Sequence, residues 1–229
     1  DIEIQNYFLE LVLIFVKKIG NTPKLREVYE QFQKLESIFR KLSRIANPDA
    51  LGLWGELFTI ESSRDPEYLI DSWHIKSNAK FDFNDGIDKL EVKTTTLNRR
   101  KHTFEIKQLQ SFNKSKTIIA SVKTTPTDNG KSIGDFILDL KPKLTALYFE
   151  KLIGKVFDII GTGFSVLDDE EHRYDYSMAE SEKKLFDAKS IPKPGLIPPR
   201  VSNIKFEVDL TGNKSINHIK YKSLLMKAL

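Results

Sequence analysis

Phe81-Asp82-Phe83-Asn84-Asp85-Gly86-Ile87-Asp88-Lys89-Leu90-Glu91-Val92-Lys93-Thr94-Thr95 reads as two strands joined by a tight turn. Asp85-Gly86 is the turn signal, because aspartate and glycine tolerate the positive φ of a short hairpin. With those two at the turn, Asn84 faces Ile87, Phe83 faces Asp88 and Asp82 faces Lys89. Side chains alternate along a strand, so Lys89, Glu91, Lys93 and Thr95 share the face of Asp82, while Leu90 and Val92 point into the core. Asp82 and Glu91 become diagonal neighbours, with Cα atoms roughly 7–8 Å apart.

A hard divalent cation can bridge that span when both carboxylates lean inward, and magnesium held this way keeps several waters and can bind phosphate oxygens. It would lower the pKa of an attacking water and offset charge at a scissile phosphate. Lys93, two residues beyond Glu91, is placed to position that water or stabilise the developing charge. The combination suits phosphodiester hydrolysis.

An acid-x-lysine triplet alone says little, since Glu105-Ile106-Lys107, Asp139-Leu140-Lys141, Glu182-Lys183-Lys184 and Asp187-Ala188-Lys189 repeat it. Only Glu91-Val92-Lys93 adds an apolar strand, an upstream turn and an aspartate on the same face. Glu105 to Lys107 is the nearest rival, but it lacks the hairpin acid. Glu56 also stands out, because a carboxylate in so apolar a helix costs on the order of several kcal/mol unless a partner satisfies it. That partner is a metal or its bound water, or else an arginine or a neighbouring backbone. His102 and Gln108 fall in a strand-then-helix passage, Lys101 to Phe112, and could contact a phosphate or the attacking water. An ordinary hydrogen bond for the histidine and a helix-start cap for the glutamine are the plainer alternatives.

Working outward, Ile4, Phe8, Leu11, Phe15 and Ile19 recur at helical spacing, and Leu25, Val28, Phe32, Leu35, Phe39 and Leu42 form one apolar stripe on a second helix from about Leu25 to Ile45. Pro48 and Asp49 start a third helix, whose Leu51, Leu53, Trp54, Leu57, Phe58 and Ile60 surround its axis and imply burial on nearly all sides. Gly52 and Gly55 would let it approach another element closely. After Trp73 the spacing changes to alternation, with strands expected at Lys80 to Phe83, Lys89 to Thr96, Thr103 to Ile106 and Thr117 to Thr124. A helix over Gly134 to Ile153 holds Pro142, where it should break or kink. Asp168 to Glu171 reads as a loop and the proline-rich Ile191 to Arg200 as extended and irregular, and Ile204 to Leu210 is a last strand with one wet face. The pattern is α/β, a mixed β-sheet flanked by helices, with an N-terminal helical segment at 1–47 and the main domain at 48–229.

Composition narrows the function. The chain has 229 residues and a net charge of +4, yet Lys89 to Lys123 holds nine Lys or Arg against two acids. Basic charge beside the hairpin suits a polyanion, and a solvated basic face is the equal alternative. No apolar run approaches the ~18 residues of a membrane span. The absence of cysteine excludes thiolate metal sites and agrees with a reducing cytoplasm.

These residues resemble the PD-(D/E)XK nuclease superfamily, in which an Asp, a Glu or Asp, and a Lys sit on adjacent strands; Asp82, Glu91 and Lys93 match the three roles. More narrowly, Gly52-Leu53-Trp54-Gly55-Glu56-Leu57, Phe81-Asp82-Phe83, Leu90-Glu91-Val92-Lys93-Thr94-Thr95, and His102 followed by Gln108-Leu109 resemble a bacterial branch whose members are often encoded near restriction and anti-phage genes. The likeness spans about Pro48 to Phe112. Phe81 stands where the superfamily name has proline, a position that varies widely.

The resemblance implies a restriction-endonuclease-like core and a metal-dependent DNA endonuclease in restriction or anti-phage defence. It implies Asp82, Glu91 and Glu56 as ligands of Mg2+, with Mn2+ as substitute, and Asp82, Glu91, Lys93, Glu56 and Gln108 as the catalytic set. Arg99, Arg100, Lys101 and His102 would contact nucleic acid. The expected partners are DNA and a homodimer or larger defence complex; the alternative is a DNA-binding subunit with little activity alone.

Overall fold

The computed structural model of the chain describes residues 2–20, 23–42, 49–73, 80–110, 115–161, 167, 172–216 and 223–229. Two helices, α1 (Ile2–Ile19) and α2 (Leu25–Leu42), precede α3 (Ala50–Glu61) and α4 (Pro66–Ser72). Asp49 caps α3 and Asp65 caps α4, each carboxylate accepting a backbone N–H three residues on at 3.0 Å. The chain then forms strands β1 (Phe83–Asn84), β2 (Lys89–Thr95), β3 (Lys101–Glu105), β4 (Thr117–Lys123) and β5 (Pro126–Lys131). Helices α5 (Ile133–Leu140), α6 (Ala146–Ile160) and α7 (Tyr176–Glu182) follow, then β6 (Lys184–Asp187), β7 (Lys205–Asp209) and α8 (Leu224–Ala228). The helix expected over Gly134 to Ile153 is broken where Pro142 lies in a 3₁₀ turn, Lys141–Lys143, since proline cannot continue the backbone ladder.

The architecture is α/β with a mixed sheet. Its order is β1-β2-β4-β6, with β2 and β4 parallel and both outer pairs antiparallel. One face packs on helices: Leu90, Val92, Ile118, Ala120 and Val122 join Trp54, Phe58, Phe136 and Val156 in the main core. The other face is covered by the two-stranded sheet of β3 and β7, which closes Phe104, Leu109, Ile119, Phe186 and Val208 into a second core. Alternation along β2 thus sends Glu91 and Lys93 toward the small sheet, beside Ile119 and Ser121 of β4.

The hairpin register differs from the expected one by two residues: Phe83 pairs with Leu90 and Asn84 with Lys89. A type I′ turn needs positive φ at both central residues, whereas of Asp85 and Gly86 only Gly86 adopts it, at 85°. The Asp85 carboxylate instead accepts the N–H groups of Ile87 and Asp88 at 2.9 and 2.7 Å, holding a wider loop. A shift of two preserves every face, because strand side chains repeat every two residues. By continuation of the register, Asp82 stands opposite Glu91 rather than diagonal to it.

Of the α1 stripe, Phe15 enters the main core; the side chains of Ile4, Phe8 and Leu11 lie outside the described residues. The α2 stripe is only partly covered: Val28 and Leu35 are half-buried, but Leu25 and Phe32 are 87% and 67% exposed. Ile191 to Arg200 is irregular as expected, and Asp168 to Glu171 lies outside the described residues. Strands β5 and β6 were not expected from the sequence.

Gly55 sets how closely α3 approaches β2. A Cβ built there would lie 1.8 Å from Thr94 Oγ1 and 3.1 Å from Thr94 Cβ. Gly55→Ala is therefore expected to destabilise the fold by about 1–3 kcal/mol, seen as a lower urea midpoint. Adding Thr94→Ala should recover part of the loss; no recovery would mean that this approach is not the constraint.

Candidate active site

Strand β1 is only two residues long, so beyond Leu90 the neighbouring edge of β2 has no ladder partner on that side among the described residues. Asp82 fills the first gap, its Oδ2 accepting the Val92 N–H at 2.7 Å. Glu91 is 2% exposed on the adjoining face. Its Oε1 accepts from Lys93 Nζ at 2.8 Å and from Gln108 Nε2. Helix α3 borders the site through Leu51, Gly52 and Glu56, and Glu56 accepts from the indole N–H of Trp73. The protein partner is thus an indole, in place of the expected arginine or backbone group. Lys155 in turn donates to the carbonyls of Ile70 and Trp73 and fixes the end of α4 that carries the indole.

Asp49, Glu56, Asp82, Glu91, Lys93 and His102 line one cleft of about 400 Å³. Four carboxylates share that wall with few cations, and for Glu56, Asp82 and Glu91 burial makes the charge costly. Burial first, and then Asp82, push the Glu91 carboxyl up to about 8. Burial raises Asp82 to about 6 against the opposing pull of the Val92 N–H and Lys93. Glu56 stands well above the usual carboxylate range through burial and then Asp82, with the Trp73 hydrogen bond opposing. For Lys93, burial alone would lower the pKa, but the attraction of Glu91, Asp82 and Asp49 outweighs it and the net shift is upward. Lys93 is thus held as a cation.

A carboxyl raised on folding keeps a proton that the unfolded chain has released, so without a bound cation its contribution is full at low pH and is lost as pH rises. For Glu91 the window runs from the ordinary 4.5 to about 8. The expected outcome is that the urea midpoint of EDTA-treated wild type, relative to Glu91→Gln, falls across this window. A difference that stays flat or rises would contradict the repulsion described.

A divalent cation fits this donor set. The oxygens are hard ligands, Glu91 Oε2 is buried with no hydrogen-bond partner among the described residues, and the raised carboxyls of Glu56, Asp82 and Glu91 repel one another while Lys93 offsets part of that charge. Among the described residues, however, no three acidic or histidine groups stand in a ready-made cage. The carboxylates have to lean inward to hold an ion.

Gln108 adopts the plainer of its two expected roles, a cap: its Oε1 accepts the Glu105 N–H at 2.9 Å, and its Nε2 donates to Glu91. The basic run divides by alternation along β3. Arg99 and Lys101 are exposed beside Asp209 and Glu207. Arg100 and His102 turn inward, 3% and 4% exposed, the first onto Ser121 and Glu182 and the second onto Ser121. The rival triplets lie outside the cleft, Glu105 beside Lys205 and Glu182 beside Arg100. The sequence marks Asp49 only as a helix start; its place in the cleft depends on packing that no local pattern encodes.

A family model described as "Putative PD-(D/E)XK family member, (DUF4420)" matches residues 1–211. The match thus includes α1 and α2. No curated protein and no solved structure matches the chain. Among the described residues no helix is long and apolar enough to cross a membrane.

Proposed function

The chain belongs to the DUF4420 family, and from that premise we propose that it is a magnesium-dependent DNA endonuclease, with manganese as a substitute. The observation that carries this reading is the convergence of Glu56, Asp82, Glu91 and Lys93 on one cleft. PD-(D/E)XK nucleases generally use divalent metals. Here Asp82, Glu91 and Glu56 would hold the ion, which supplies a water of lowered pKa and positive charge against the phosphate. Lys93, anchored on Glu91, offers its ammonium to the negative charge that builds on the phosphoryl oxygens. Gln108 orients the Glu91 carboxylate, and Trp73 orients that of Glu56. Arg99, Lys101 and His102 contact the nucleic-acid backbone, whereas Arg100, expected to join them, is buried on Ser121 and Glu182 and backs only His102, through Ser121.

In this reading the segment 1–47, which carries α1 and α2, is an attachment to the nuclease-like unit at 48–229, with Phe15 of α1 in the main core. A restriction or anti-phage role and assembly as a homodimer or within a larger complex rest on the sequence resemblance alone, and a cytoplasmic setting rests on the absence of cysteine. The second reading, a DNA-binding subunit with little activity alone, rests on the exposed basic side chains of Arg99 and Lys101, which would bind a polyanion whether or not the acids cut it.

Supercoiled plasmid and single-stranded DNA incubated with the protein in magnesium or manganese separate the two. Cleavage abolished by EDTA and by Glu91→Ala supports the nuclease. Binding without cleavage under broad conditions supports the subunit, and activity that survives Glu91→Ala places the chemistry elsewhere.

A further inference from the structure

Behind the carboxylates runs a buried polar chain whose protons can be counted. The Arg100 guanidinium only donates. Its Nη1 donates to the carbonyl and hydroxyl oxygens of Ser121 at 3.0 and 3.1 Å, and its Nη2 to the carboxylate of Glu182 at 2.8 Å. Ser121 is fully buried, and its hydroxyl lies 2.7 Å from His102 Nε2. That hydroxyl carries one proton, which Arg100 cannot accept. Among the described residues, the imidazole is the remaining acceptor within hydrogen-bond distance, and a buried donor left unpaired is costly. Nε2 is therefore the acceptor.

A neutral imidazole then carries its proton on Nδ1. Burial first, then Lys93 and Arg100, lower the His102 pKa to about 4, so the ring is neutral at physiological pH. His102 lines the same cleft as Glu91 and Lys93, and with Nε2 engaged, Nδ1–H is the group it can offer a ligand there. A neutral donor also suits the place, because a second cation would repel Lys93 and any bound metal.

We propose that Arg100 and Ser121 lock His102 in the Nδ1–H tautomer, making it a neutral hydrogen-bond donor to a phosphate oxygen of nucleic acid in the cleft. The identity of that ligand rests on the nuclease reading; the tautomer does not. Arg100 and Ser121 are positioning residues, acting through the imidazole.

Nitrogen-15 NMR of the histidine rings tests this in EDTA at neutral pH, with the His102 signals assigned by their loss in His102→Phe. The expected result is an Nδ1–H pattern in the wild type that moves when a short DNA duplex is added. Ser121→Ala should release the ring to a tautomer mixture. His102→Asn, which keeps an N–H near Nδ1, should hold duplex affinity within about threefold, and His102→Phe should lose about tenfold. An Nε2–H tautomer, or Nδ1 signals unmoved at saturating duplex, overturns the proposal whether or not the protein cuts DNA. If the wild type shows the Nδ1–H pattern and the duplex-induced shift yet never cleaves with metal, this proposal stands and the nuclease reading falls.

Discussion

Lys93→Ala is expected to lower single-turnover DNA cleavage on the order of 10²- to 10³-fold, with little change in duplex affinity. The side chain lies inside the cleft, its ammonium 2.8 Å from Glu91 Oε1 and 5.7 Å from the centre of the Phe104 ring. An amine held as a cation there interacts most strongly with charge that appears only as the phosphate reacts, so its removal should act on the chemical step. The same substitution leaves Glu91 facing Asp82 and Glu56 without its nearest cation, so the metal-free variant should bind protons at Glu91 more tightly than the wild type does. A Lys93→Ala protein that cleaves at the wild-type rate would remove Lys93 from the mechanism.

Asp82 should separate two roles that a single alanine substitution confuses. Asp82 lines the cleft, and its Oδ2 accepts the Val92 N–H at the edge of β2. Asp82→Asn keeps an oxygen for Val92 but removes the charge; it is expected to fold with near wild-type stability and to lose cleavage at least as severely as Lys93→Ala. Asp82→Ala also leaves the Val92 N–H unpaired, and should lose a further ~1–3 kcal/mol of stability. Urea denaturation of both variants beside the cleavage assay resolves the two effects. Equal stabilities would show that the edge hydrogen bond contributes little.

Much of this site was legible because strand geometry repeats every two residues. The faces of Asp82, Glu91 and Lys93 survive a register displaced by two, and Leu90 and Val92 fall in the core as their alternation requires. The turn itself was not legible, since Asp85 can supply either a backbone φ or a side-chain acceptor and nothing local chooses between them. Strand β6 escaped because Leu185 and Phe186 are adjacent and face different cores, which leaves no alternation to read. The partners of Glu56, Arg100 and His102 come from Trp73, Glu182 and Ser121, distant in sequence and joined only by the packing of α4, α7 and β4 around β2. Inward and outward turns in Arg99 to His102 depend on the pairing of β3 with β7, across about a hundred residues of chain.

The most direct test of the central claim is an anomalous-scattering map of crystals grown with manganese and a short DNA duplex, measured beside Glu91→Ala crystals. The expected result is a manganese peak in direct contact with Asp82 and Glu91 in the wild type, with a phosphate oxygen on the same ion, and no peak in the variant. Wild-type crystals with ordered duplex and no manganese between these carboxylates, or a peak unchanged by Glu91→Ala, would contradict it.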